Sequence, residues 1–359
     1  MRIALVTIIE PRPDSGDGIT EYAYRLMQEL RKRKDNEIEV VSVLKGVRRS
    51  TAVGLLKAQL LSKKIGKELS EEDYDVIHIM HNEMGSIAKY LKDRGMRAKI
   101  VTTIHDIVGT MPIYNKNIKR KLYNRVQDRN NRDAIKYSDY IIFNSTQTRE
   151  EAVKRYGMIR NSAITSSGLK DSVLKSPIRR ESHGKEFTVG YLGGFATHKN
   201  VIAILKTAKP MIREHSIRFV VYGAGTESKN VESYRTKNML TNVELRGFVQ
   251  ERDIPKTLTS FDVLLFPSTH EGFGLPIIEA QAMGVPVIVF SKSRIPKEVS
   301  KYCIKALDEQ HAAFQIRRLA SGNKLVNIKK AAAYARSFTW KKNADKLQKI
   351  YRDLASEGF

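Results

Sequence analysis

The sequence predicts an α/β protein built from two doubly wound, Rossmann-like halves. Short apolar runs of strand length alternate with helical patterns along the chain, as expected for parallel sheets covered on both faces. The alternation is interrupted at residues 171–185, where Pro177, Arg179, Arg180, Ser182, His183 and Gly184 give the composition of an interdomain linker. It then begins again, and 359 residues are enough for two domains with cores of their own.

Taken in order, residues 3–9 read as a first strand, too short for a signal peptide. A helix over 19–33 follows, with Tyr22, Leu26 and Leu30 at helical spacing. Runs at 38–44, 75–80, 99–104 and 140–144, each bounded by polar residues, complete the strands of a first domain, 1–170. The second domain, 186–339, has strands at 187–192, 218–222, 243–245, 262–266 and 287–290, with helices between them. A last helix within 340–359 carries Leu347, Ile350, Tyr351 and Leu354 on one face.

Composition narrows the classes of function. No apolar run approaches the ~20 residues needed to cross a bilayer. The single cysteine, Cys303, excludes an internal disulfide and a cysteine-based zinc site, and makes the cytoplasm the default compartment. A net charge of +24 calls for anionic partners: nucleic acid, acidic lipid or phosphorylated substrates. Residues 47–69 concentrate Arg48, Arg49, Lys57, Lys63, Lys64 and Lys67 against Glu68, with Val53, Leu56, Leu60 and Leu61 able to form an apolar face. Residues 115–136 form a second basic stretch. A basic amphipathic helix suits an anionic membrane surface; equally, its apolar face can pack into the first domain and leave the charges solvated.

The most informative chemistry lies at residues 271–279, between the apolar run Val263, Leu264, Leu265, Phe266 and a helix that Pro276 opens and Gly284 ends. A helix start leaves backbone N–H groups unpaired, and a Ser, Thr, Asp or Asn cap normally meets them. Leu275, the residue before Pro276, cannot. Gly272 and Gly274 let a ligand approach the backbone, and a phosphate is the natural partner for such a terminus. Glu271, before the turn, and Glu279, expected in the first helical turn, bracket that place. Carboxylates beside a phosphate are costly, so neutral sugar hydroxyls are their expected partners. Taken singly, either glutamate reads as a dipole complement or a solvated loop residue; the spacing with the glycines and proline is what points to a site.

This stretch resembles the donor-binding signature of retaining glycosyltransferase family four, of the GT-B fold: a Glu, seven residues and a second Glu, with Gly272, Phe273, Gly274, Leu275 and Pro276 inside and Gly284, Val285, Pro286 after. The resemblance implies two Rossmann-like domains facing a central cleft, with the terminal helix returning to the first domain. It implies that Glu271 meets the donor sugar, Glu279 the nucleotide ribose, and the amides between them the pyrophosphate. Thr103, Ile104, His105, Asp106 resemble the family's active-site histidine segment, which places His105 at the donor sugar. Gly16 and Gly18, in the loop after the first strand, resemble the family's Gly-Gly loop, with Asp17 between them; an ordinary turn is the alternative. Lys199 matches a pyrophosphate-gripping lysine, whereas Gly194 stands where the family usually has arginine. Tyr222, Gly223, Ala224, Gly225 lack the ending of a P-loop and read as a glycine-containing loop after a strand. Gly247, Phe248 and Val249 lie where the family's backbone nears the nucleotide base.

The expected function is that of a retaining hexosyltransferase using a nucleotide diphosphate sugar as substrate, with no other cofactor and no metal. Its expected acceptor is a hydroxyl on a lipid-linked molecule or growing glycan, and its place the cytoplasm or the cytoplasmic membrane face. The alternatives are an inactive sugar-nucleotide-binding homologue, suggested by Gly194, and a basic nucleic-acid-binding protein, for which no motif is present.

Overall fold

Ile3, Ala4, Leu5 and Val6 have no polar side chain to offer solvent, and they form the buried centre of strand β1 (Arg2–Thr7) in the computed structural model. The structure describes residues 1–12, 18–45, 52–107, 118–179 and 186–356. The chain divides into two compact units, Met1–Gly168 with Thr339–Phe359, and Leu169–Phe338.

In the first unit β1 is followed by α1 (Gly18–Arg31), β2 (Glu37–Ser42), α2 (Ala52–Ser70), β3 (Val76–Ile79), α3 (Gly85–Asp93), β4 (Lys99–Ile104), α4 (Ile118–Tyr137), β5 (Tyr140–Phe143), α5 (Thr146–Tyr156) and β6 (Ser162–Ile164). The six strands are parallel and ordered β2-β1-β3-β4-β5-β6. Central β3 is buried along its whole length, whereas edge strand β2 turns Glu37 and Glu39 outward in alternation.

The second unit opens with α6 (Asp171–Lys175), so the stretch with linker composition begins as a helix of that unit; residues 180–185 lie outside the described ones. There follow β7 (Phe187–Leu192), α7 (Ile202–Ala208), β8 (Ile217–Tyr222), α8 (Ser228–Lys237), β9 (Val243–Arg246), α9 (Ile254–Thr259), β10 (Val263–Phe266), α10 (Leu275–Ala282), β11 (Val287–Phe290), α11 (Lys297–Ser300), β12 (Ile304–Ala306), α12 (Glu309–Ala320) and α13 (Ile328–Ala335). Its parallel sheet runs β12-β11-β10-β7-β8-β9. Both sheets are those of Rossmann-like α/β domains.

The chain then returns to the first unit as α14 (Trp340–Ser356). Leu347, Ile350, Tyr351 and Leu354 share a buried cluster with Tyr22, Leu26, Met27 and Leu30 of α1. A polar contact fixes the register. Tyr351 Oη hydrogen-bonds Nδ1 of fully buried His78 on β3, and His78 Nε2 meets Thr103 Oγ1 at 2.7 Å. Burial first, and then His105, push the His78 pKa down to about 3, so the ring is neutral.

The basic segment 47–69 is only partly within the described residues. Along the end of α2, Ile65 and Leu69 are buried in the first unit's core, while Lys63, Lys64 and Lys67 face out. Leu60, expected on an apolar face, is instead 83% exposed. Arg48 and Arg49 lie outside the described residues.

Candidate active site

Strand order in the second unit reverses between β7 and β10: β8 and β9 lie beyond one, β11 and β12 beyond the other. Loops leaving the carboxyl ends of such a pair diverge, and the crevice they leave is where open α/β sheets bind ligands. Lys199 leaves β7 in one of these loops and Glu271 leaves β10 in the other.

The two loops are stitched together. The Thr269 N–H donates to the His198 carbonyl at 2.8 Å, and the hydroxyls of Thr269 and Ser268 donate to the same oxygen at 3.1 and 3.2 Å. Asn200, in the left-handed conformation at φ 50, closes the turn that holds Lys199. Across this junction Lys199 Nζ meets Glu271 Oε1 at 2.7 Å, with the lysine side chain 20% and the glutamate side chain 9% exposed. Sequence spacing gives each residue a place but not this contact, which depends on β7 and β10 being neighbours.

Gly274, at φ 97, caps α10, and no side chain accepts from the first turn. The helix therefore starts one residue earlier than the sequence reading, which placed the uncapped start at Leu275. Glycine alone takes that left-handed angle without strain, so the chain turns there. Leu275 becomes the first helical residue and Glu279 the fifth, beyond the first turn where it was expected. Glu279 is buried in the second turn of α10, and Glu271 is buried too and is no solvated loop residue. Phe273 packs its ring edge-on to Phe338 at 5.8 Å between centroids, so only its backbone can serve a ligand.

A close approach brings the β8 loop to the β7 loop. Gly223 has φ 145, and a Cβ there would lie 1.8 Å from the Gly193 carbonyl oxygen, so no other residue fits. Gly194 differs: a Cβ would meet only the Ala224 oxygen at 3.8 Å, and glycine is not demanded by space.

Two residues near the pair were not found by sequence reasoning. The Arg294 N–H donates to Thr269 O, and the Glu271 N–H donates to Arg294 O, both at 2.9 Å, forming a single parallel bridge between His270 and Arg294. His270 is buried directly before Glu271, and its pKa is pushed down to about 4 by burial, with Arg294 the next influence. Nothing in the local sequence marks either residue, because the bridge joins the ends of different strands.

In the first unit His105 follows β4 and is buried. Its Nε2 lies 3.0 Å from the Met80 carbonyl, which can only accept, so Nε2 carries the proton. The ring stands edge-on to Tyr22 at 4.9 Å, and Asn144 Nδ2 donates to the His105 carbonyl at 2.8 Å. The next residue, Asp106, has its carboxyl pushed up to about 6 by burial. Gly18 opens α1, where a Cβ would meet nothing within 4 Å, and Gly16 lies outside the described residues.

Two Rossmann-like units, each built on a six-stranded parallel sheet, fit the GT-B fold of glycosyltransferases. Residues 186–322 match the family described as Glycosyl transferases group 1, and residues 16–165 match Glycosyltransferase Family 4. The chain belongs to this family of glycosyltransferases. Among curated relatives, an O-antigen biosynthesis glycosyltransferase of Escherichia coli is 24% identical over 275 residues, 73% of this chain and 74% of that protein. A UDP-Gal:alpha-D-GlcNAc-diphosphoundecaprenol alpha-1,3-galactosyltransferase of the same organism is 24% identical over 329 residues, 84% of this chain and 81% of the other. Among solved structures, the Anabaena protein HepE in complex with UDP and glucose superposes with a TM-score of 0.72 at 17% identity, covering 97% of this chain and 98% of that one.

Proposed function

We propose that this glycosyltransferase moves a hexose from a nucleotide diphosphate sugar, GDP-mannose or a UDP-hexose, to an acceptor hydroxyl, with retention of configuration and without a metal ion. The observation that carries the reading is the Lys199–Glu271 pair at the switch point. It supplies a cation for the departing diphosphate and a carboxylate for sugar hydroxyls, beside a helix start without a side-chain cap. Catalysis then rests on positioning and on stabilising the leaving diphosphate through Lys199 and the amides of residues 272–275, with no protein nucleophile. Buried Glu279 serves the ribose hydroxyls. His105 is assigned to the reaction centre on its resemblance to the family's histidine segment.

The acceptor in this reading is a lipid-linked molecule or a growing glycan, met at the cytoplasmic membrane face. The relative named for a diphosphoundecaprenol-linked sugar supports this, as does exposed Leu60 with outward-facing Lys63 and Lys64 on one helix. Among the described residues, no helix is long and apolar enough to cross a membrane. Near an anionic surface each lysine contributes about 1 kcal/mol, and salt removes it.

A panel of UDP- and GDP-hexoses, followed by nucleotide release with and without a chelator, tests the reading. Release from one donor, undiminished by the chelator, is expected. Absence of both binding and release across the panel refutes a nucleotide-sugar donor; binding without release identifies an inactive homologue. Lys63→Glu/Lys64→Glu should lose co-sedimentation with anionic liposomes at low salt and keep donor hydrolysis. Wild-type protein that ignores such liposomes refutes the membrane reading.

A further inference from the structure

Beside the Lys199–Glu271 pair stands a histidine with nothing to bond. His270 is 7% exposed, and neither ring nitrogen has a hydrogen-bond partner among the described residues. Buried polar side chains are nearly always paired, so an orphan in a native structure calls for an explanation other than stability. Its place is fixed by the backbone bridge to Arg294, and four titratable or charged groups act on the ring: Arg294, Glu271, His198 and Lys199. Burial, Arg294, His198 and Lys199 disfavour the charged ring, and Glu271 favours it. While Lys199 serves Glu271, the ring is neutral.

Binding of a diphosphate at Lys199, the reading proposed above, disturbs this balance. The phosphates draw away the cation that stands 2.7 Å from Glu271. Glu271 is only 8% exposed, so water is poorly placed to take the cation's role. Removing one partner from a buried ion pair is the strongly unfavourable case. His270 is the adjacent residue, has two unused ring nitrogens, and can restore the missing charge. The incoming negative charge and the withdrawal of Lys199 both favour its protonated form.

We propose that His270 is a positioning residue that replaces Lys199 as the partner of Glu271 when the nucleotide diphosphate binds, taking up a proton as it does so. The proton comes from solvent and returns to it when the nucleotide leaves. Donor binding is then coupled to pH, weakening as pH rises from the free ring's midpoint of about 4 to the raised midpoint of the complex. This rests on the donor reading of Lys199, and the experiment separates the two.

The first arm needs no ligand. Lys199→Met imitates the withdrawn lysine in the free, full-length protein, and the ring carbon–proton resonance of His270, assigned with His270→Gln, is titrated by NMR. The His270 midpoint should rise by about 2 units or more over wild type; an unmoved midpoint overturns the proposal whatever the ligand. The second arm measures UDP and GDP binding by calorimetry in buffers of different ionisation enthalpy at about pH 5, between the free ring's midpoint of about 4 and the raised one. Wild type should take up close to one proton per nucleotide, and His270→Gln and Glu271→Gln should take up none. Wild type that binds without uptake, or His270→Gln with the wild-type proton count, also overturns it. If neither nucleotide binds, the donor reading fails and the first arm still decides. Should Lys199→Met not fold, the proton count of His270→Gln against wild type decides instead.

Discussion

Replacing Lys199 with methionine separates what the lysine does for the fold from what it does for the donor. In the free protein it meets Glu271 at 2.7 Å, with side chains 20% and 9% exposed. Breaking a fully buried pair by removing one partner costs about 3–5 kcal/mol. The residual exposure of Lys199 and the neighbouring His270 lower this, and the expected loss is about 2–3 kcal/mol. Lys199→Met/Glu271→Gln should recover most of it, a coupling of about 2 kcal/mol in the double-mutant cycle. Urea unfolding by far-ultraviolet circular dichroism reads the effect. The only tryptophan, Trp340, is in the first unit, so its emission gives an internal comparison: where the units unfold separately, its transition should not move. For the donor, losing a charged hydrogen bond should weaken nucleotide binding by about 1.5–3 kcal/mol, roughly 10- to 150-fold. Stability within about 0.5 kcal/mol of wild type would show that the ion pair contributes nothing. Unchanged affinity for both UDP and GDP would remove Lys199 from the diphosphate.

Much of this fold is legible because its central strands are short apolar runs between polar or glycine residues. Strands β4, β7 and β11 begin and end where the sequence places them. Strands β6 and β12 are not legible. Each has three residues at a sheet edge, β6 with no fully buried side chain and β12 with Lys305 turned outward, too little for a pattern. The same division governs the site. Glycines, proline and two glutamates within one strand-to-helix turn are local and can be read as a group. The Lys199–Glu271 contact and the His270–Arg294 bridge join loops that meet only because β10 lies between β7 and β11. The cap moved to Gly274 because a left-handed backbone angle, rather than the proline, decides where the helix begins. In α2 the apolar positions divide by depth: Ile65 and Leu69 reach the core and Leu60 does not, a distinction that helical spacing alone does not make.

Other substitutions test the remaining assignments. Glu279→Ala should weaken nucleotide-sugar binding by about 1.5–3 kcal/mol through lost ribose contacts, and unchanged calorimetric affinity for every nucleotide would take Glu279 out of the site. His105→Ala should depress turnover at saturating donor more than nucleotide affinity; wild-type turnover would refute its place at the sugar. Tyr351→Phe should cost the first unit about 1–3 kcal/mol by leaving His78 Nδ1 without its hydroxyl partner, read from Trp340 emission in urea. The buried His78 ring also predicts a dependence on pH whose sign can be worked out. Its folded pKa of about 3 lies below the unfolded value of 6.5. Above the unfolded value both states hold a neutral ring, and the His78 interactions contribute fully. As pH falls below it, the unfolded chain binds a proton that the folded one refuses, and stability is lost at up to about 1.4 kcal/mol per pH unit. Comparing wild type with His78→Asn isolates this from other titrating groups. The wild-type advantage should be largest in neutral solution and shrink steadily under acid, and a difference independent of pH would mean that His78 is solvated and titrates as in the unfolded chain.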